Sequence, residues 1–157
     1  MELKKILAGL TDLKAKGNLD LDIQHLESDS RKVTEGTLFV AVKGFETDGH
    51  EYIGAAIQKG AIAVMVEEGS KIDKTQLKED ITIIVAPNTR HALAIMACNF
   101  YQKPSRKFKL IGITGTKGKT TTSFMIKHIL EKSGLKVGLI GTIAKYIGNT
   151  CLGESNR

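Results

Sequence analysis

The segment that most constrains the fold is Lys109 to Thr121, Lys-Leu-Ile-Gly-Ile-Thr-Gly-Thr-Lys-Gly-Lys-Thr-Thr, where an apolar run meets a Gly/Thr loop ending in Gly-Lys-Thr-Thr. Phe108, Leu110, Ile111 and Ile113 predict a strand over 108–113, and Phe124, Ile126, Ile129 and Leu130 give an apolar side to a helix expected over 120–133. Strand, glycine loop and helix in that order frame a polyphosphate cradle. Gly115 and Gly118 open backbone conformations closed to residues with a Cβ, and the helix start offers unpaired N–H groups and partial positive charge. Lys119 would then reach the β/γ-phosphates and the Thr120 hydroxyl would take a Mg²⁺ position. The spacing departs from G-x-x-x-x-G-K-[ST], because Ile113 stands where the first glycine belongs and Gly112 precedes it. A chance Gly-Lys-Thr in a basic loop is the alternative.

Charge is unevenly placed in the 157 residues, whose formal net charge is +6. Residues 1–104 hold 13 Lys/Arg against 15 Asp/Glu, and residues 105–157 hold 10 against 2, so the basic excess belongs to the phosphate-loop segment. No aromatic interleaving or single Lys/Arg block accompanies it, so polyphosphate rather than nucleic acid is the expected partner. Cys98 and Cys151 lack metal-ligand spacing, and no apolar run approaches membrane length. The expected setting is reduced and cytoplasmic, without a membrane partner.

The remaining pattern is α/β: a small, mainly parallel sheet flanked by helices, followed by a first βαβ unit of a phosphate-loop domain. Leu3, Ile6, Leu7, Leu10 and Leu13 predict an amphipathic helix over 2–16 ending at Gly17. Strands are expected at 19–26, 37–42, 61–66 and 81–85, and helices at 50–59 and 89–101. Asp48 and Asn88 read as helix caps, His50 as structural and Arg90 as a solvated first-turn charge. Lys103-Pro104-Ser105-Arg106-Lys107 reads as a linker, dividing a domain at 1–104 from a unit at 105–157. That unit would run β(108–113), α(120–133), β(136–141), with one more strand across 142–147. A lone βαβ module leaves apolar faces uncovered, so it is expected to pack on residues 1–104 or to self-associate with a second copy.

The motifs together carry a family resemblance. Thr114-Gly-Thr-Lys-Gly-Lys-Thr120 resembles the T-G-T-x-G-K-T loop of the Mur ligases, which shares the displaced glycine. Asp29-Ser30-Arg31, Gly36-Thr-Leu-Phe-Val-Ala-Val-Lys-Gly44 and Asp48-Gly-His-Glu-Tyr-Ile53 resemble, in order and spacing, the uridine-binding N-terminal domain of the Mur ligases that add the third residue of the cell-wall peptide. Phe100-Tyr-Gln-Lys-Pro-Ser105 and Leu139-Ile-Gly-Thr142 favour these over the related ligases that add D-alanyl-D-alanine. Lys117 departs from the family, where most relatives carry Asn.

The resemblance implies ATP and Mg as cofactors and UDP-N-acetylmuramoyl-dipeptide as substrate, with amide formation through an acyl-phosphate. It implies ATP contacts at Gly115, Thr116, Lys117, Gly118, Lys119, Thr120 and Thr121, with Lys119 as the catalytic charge stabiliser and Thr120 beside Mg. It implies uridine-nucleotide contacts at Ser28, Ser30, Phe45, Glu46 and Thr47. Ser30 could instead only form a turn, Phe45 could only cover core, and Asp29 with Arg31 could be a structural ion pair. The family continues beyond the motifs present here with a Thr-Thr-Pro segment, metal-binding Glu and His, a carbamylated Lys and a domain for the incoming amino acid. The chain alone is therefore expected not to form the amide. An unrelated phosphate-loop kinase or GTPase, and a UDP-binding module without catalysis, are the competing readings.

Overall fold

The structure, a computed structural model, describes residues 1–45, 47–71, 77 and 80–154, and divides into two compact units, Met1–Phe108 and Lys109–Arg157. The first is built on a five-stranded sheet of β1 (Lys14–Lys16), β2 (His25–Glu27), β3 (Thr37–Val40), β4 (Ala61–Glu67) and β5 (Thr82–Ala86), in the spatial order β1-β5-β4-β3-β2. All neighbours are parallel except β1, which runs antiparallel to β5 with Lys14 opposite Val85.

The run Thr-Leu-Phe-Val of β3 is buried at all four positions, as a strand covered on both faces requires. Its side chains alternate between two cores. Leu38 and Val40 join Ala63, Met65 and Ile84 beneath Leu3 and Ile6 of α1 (Leu3–Ile6) and Ala92 and Met96 of α3 (Thr89–Phe100). Phe39 joins Val64 and Val66 beneath Ile53, Ala56 and Ile57 of α2 (Ile53–Gln58). The expected mainly parallel sheet with flanking helices is present.

The helix expected over 2–16 is not. α1 closes after four residues, Gly9 and Asp12 take positive φ (85° and 58°), and the chain returns as β1 along the edge of β5. Leu7, Leu10 and Leu13 still pack on the core from irregular backbone, so their spacing imitates a helix. Capping an open strand edge outweighs a short helix's propensity. Gly17, just after β1, runs close against β5: a Cβ there would lie 2.7 Å from Thr82 Oγ1, at φ 114°. Of the strand expected at 19–26, only its end forms, as β2.

In the second unit α4 (Lys119–Lys132) is followed by β6 (Gly138–Ile140), β7 (Ala144–Ile147) and β8 (Thr150–Glu154), an antiparallel meander. The expected βαβ arrangement is therefore corrected here. Residues 108–113 form no strand, and Phe108, Leu110 and Ile111 are 58%, 75% and 55% exposed. A strand needs a partner ladder, and β6 is paired antiparallel with β7 instead. β8 was not expected; it is turned back by Gly148 (φ 56°) and Asn149, a two-residue hairpin loop closed by the Ile147–Thr150 pair. Phe124 of α4 meets Tyr146 of β7 edge to face at 5.7 Å, and Lys127, paired with Glu131 at 2.7 Å, lies over the same ring.

Packing predicts a contrast between two phenylalanines. Phe39→Ala, at a 1% exposed site, should cost about 3–5 kcal/mol in urea denaturation, whereas Phe108→Ala should stay within about 0.5 kcal/mol. A comparable loss for Phe108→Ala would mean that 108–113 is packed.

Candidate functional site

The phosphate-loop residues form one continuous exposed feature. Gly115 (φ 150°) and Gly118 (φ 79°) hold the backbone in the left-handed half of conformational space, and Gly118 is the N-cap of α4 with no side chain capping the helix. The first helical N–H groups have no partner within the helix, and the first intrahelical bond from Thr122 returns to the Gly118 carbonyl at 2.9 Å. Lys119 folds its ammonium back over the loop, donating to the Gly115 carbonyl at 2.5 Å and reaching the Thr116 carbonyl at 3.4 Å. Thr120 is half-buried at the first turn, while Thr116, Lys117 and Thr121 are exposed. Backbone donors, a helix start and a cation thus converge where a polyphosphate could bind.

The other predicted residues lie in the first unit, after adjacent parallel strands. Ser28 follows β2 directly and is exposed. Asp29, Ser30 and Arg31 then form a turn in which Arg31 donates to the Asp29 carboxylate from its backbone N–H (3.0 Å), Nε (2.9 Å) and a terminal nitrogen (2.8 Å). The Arg31 guanidinium, helped by the backbone bond, pulls the Asp29 carboxyl down from 3.8 to about 2. Lys59, just beyond α2, donates to the Ser30 carbonyl at 3.1 Å. Sequence patterning carried no signal for Lys59, which acts on backbone atoms.

After β3, the chain makes a narrow loop bearing Phe45 and Thr47. Lys43 and Asp48 form an antiparallel bridge, Gly44 N–H donates to the Thr47 carbonyl at 2.9 Å, and Gly49 N–H donates to the Val42 carbonyl at 3.1 Å. A Cβ at Gly49 would come within 2.8 Å of both Val42 N and O, so only glycine fits where the loop's arms cross. Phe45 is fully exposed and covers no core, and Thr47 is exposed beside it. Glu46 lies outside the described residues.

A polar network fastens this loop to the sheet. Asp48 accepts from His50 N–H at 3.0 Å and meets His50 Nδ1 at 2.5 Å, and these bonds hold the Asp48 carboxyl below its usual range. His50, buried, accepts the Glu67 N–H on Nε2 at 3.0 Å. The Glu67 carboxylate in turn accepts from Thr89 N–H and Oγ1 at 3.1 and 3.3 Å, at the start of α3, where Asn88 caps His91 N–H at 2.8 Å. Arg90 is exposed in the first turn, as expected, and in addition donates to the Lys43 carbonyl at 2.8 Å. A cleft lined by Lys43, Asp48, His50, Glu51, Glu67 and Glu68 opens beside the network, and Ser28, Ser30, Phe45 and Thr47 do not line it. A carboxylate closing β4 was the one sequence signal for Glu67.

Both units match models of one family. Residues 22–101 match the description "Mur ligase family, catalytic domain" and residues 113–156 match "Mur ligase middle domain". The chain belongs to the Mur ligase family. A UDP-N-acetylmuramoyl-L-alanyl-D-glutamate--2,6-diaminopimelate ligase from Clostridium perfringens is 52% identical over 95% of this chain, which spans 30% of that relative's length. A solved ligase of the same name covers 96% of the chain and is itself covered over 29% (TM-score 0.65, 21% identity), a likeness of fold. A MurF ligase from Thermotoga maritima, solved in complex with ADP, covers 69% of the chain and is covered over 23% (TM-score 0.50, 31% identity). Among the described residues, no helix is long and apolar enough to cross a membrane.

The Asp29–Arg31 pairing has a pH signature. The Asp29 carboxyl, read by NMR, should titrate at about 2, and Arg31→Ala should return it towards 3.8. Because the folded value is the lower one, the pair's contribution to stability is fully present above 3.8 and lost as pH falls through about 2. An Asp29 midpoint unmoved by Arg31→Ala would contradict the pairing.

Proposed function

We propose that this chain is the nucleotide-recognising portion of an ATP-dependent ligase that joins diaminopimelate to UDP-N-acetylmuramoyl-L-alanyl-D-glutamate in peptidoglycan synthesis. The observation that carries the reading is the 52% identity to a ligase of that name, sustained over 95% of the chain and so across both units. The chain spans less than a third of that relative's length, and the amide-forming step is accordingly assigned to the whole protein. Its expected setting is the cytoplasm, with soluble substrates.

In this reading the first unit holds the uridine nucleotide and the second holds ATP. Ser28 and Ser30 present hydroxyls beside the end of β2. Phe45, free of any packing duty, offers a ring to a base, with Thr47 beside it, and Glu46 of the same loop is assigned to the nucleotide by the resemblance alone. Gly115 to Thr121 would hold the triphosphate: two positive-φ glycines and an uncapped helix start suit an anion. Lys119, now resting on loop carbonyls, would turn its ammonium to the transferring phosphoryl group and offset the charge that develops there. Thr120 would offer its hydroxyl to Mg²⁺, which supplies charge neutralisation at the phosphates when bound. Lys117 adds a second cation to that loop.

Calorimetry tests the division of labour. The chain should bind UDP and Mg·ATP as separate, additive events; Lys119→Ala should weaken ATP by at least tenfold with UDP unchanged, and Ser30→Ala with Phe45→Ala should do the reverse. ATP binding without UDP binding would overturn the uridine assignment of the first unit. Equal weakening of both ligands by Lys119→Ala would overturn the assignment of the loop.

A further inference from the structure

The β3–β4 ladder ends in an unusual substitution. Ala41 N–H donates to the Met65 carbonyl at 2.9 Å, and on that side of β4 the next donor is Glu67 N–H. In a continuing parallel ladder it would meet a β3 carbonyl, but the chain has turned into the Lys43–Asp48 loop, and His50 Nε2 takes the bond at 3.0 Å. A backbone N–H can only donate, so Nε2 is the acceptor and Nδ1 carries the proton that faces Asp48 Oδ1 at 2.5 Å. One buried imidazole therefore joins the outgoing arm of the exposed loop to the end of a core strand.

We infer that His50 is a positioning residue for uridine-nucleotide recognition, holding Phe45 and Thr47 in their binding geometry by bridging Asp48 to the Glu67 backbone. The inference rests on the proposed function, in which Phe45 and Thr47 meet the nucleotide. Among the described residues of the loop tip, Phe45 is fully exposed and Thr47 is exposed. The tip's geometry depends on its arms: the incoming arm is held by Arg90 on the Lys43 carbonyl, the outgoing arm by His50. A loop released from β4 would populate other conformations, and apparent affinity falls by the fraction that remains competent. His50 itself contacts no ligand in this account; the loop does.

Amide isosteres separate this role from mere support of the fold. In His50→Gln the side-chain oxygen reaches the Nε2 position and can still accept the Glu67 N–H. His50→Asn keeps only a donor towards Asp48, and His50→Phe keeps only volume. UDP titrated into each folded variant by calorimetry should show His50→Gln within about threefold of wild type and the other two weakened about tenfold, with Mg·ATP affinity unchanged throughout. UDP affinity equal to wild type in folded His50→Phe, whatever its melting temperature, overturns the inference. Absence of UDP binding in the wild-type chain is a different failure, which removes the underlying functional reading as well. Should His50→Phe not fold, amide exchange in the wild-type chain decides the matter. UDP should slow exchange at Glu67 together with residues 43–49, and saturating UDP that leaves Glu67 unchanged overturns the bridge.

Discussion

Burial of β3 and β4 on both faces governs the first unit. Strands covered on both sides leave no room for polar side chains between Leu38 and Val40 or between Ala63 and Val66, so every group that could meet a ligand is displaced to the strand ends. Parallel pairing places the successive ends of β2, β3 and β4 on one edge. The Ser28–Arg31 turn and the Lys43–Asp48 loop therefore follow two neighbouring strands, β2 and β3, and Glu67 closes the next, β4. At that edge the Glu67 N–H lies beyond the β3 strand, and His50 accepts it.

The two candidate sites are organised by different physics. The phosphate loop is local: glycine conformations, a helix start and a lysine four residues from the carbonyl it bonds make its geometry from a handful of consecutive residues. The Lys43–Asp48 loop is non-local, fastened by bonds from Arg90 to Lys43 and from Glu67 to His50. The first can keep its chemistry while its flanks are irregular, as 108–113 are. The second depends on a folded sheet and is sensitive to single tethers.

That contrast also explains what could be read from sequence. Buried strands and capped helices were legible because their signals are local: the apolar run of β3, the Asp48 and Asn88 caps, the glycines of the phosphate loop. The 2–16 segment misled because leucines spaced three and four apart bury equally well from a short helix and from the irregular backbone that follows it. Residues 108–113 misled because apolar content licenses a strand without supplying its partner. Arg90, Lys59 and Glu67 were hidden because each acts across the fold, two of them on backbone carbonyls that no side-chain pattern encodes.

We propose two separate nucleotide sites in one chain, each confined to its own unit. The most direct test is a backbone amide NMR titration of the whole chain, first with UDP and then with Mg·ATP. The account predicts that UDP shifts amides in 28–31 and 43–50 alone, and that Mg·ATP shifts 114–122 alone. Perturbation of the same set by both ligands, or UDP shifts centred on the phosphate loop, would contradict it.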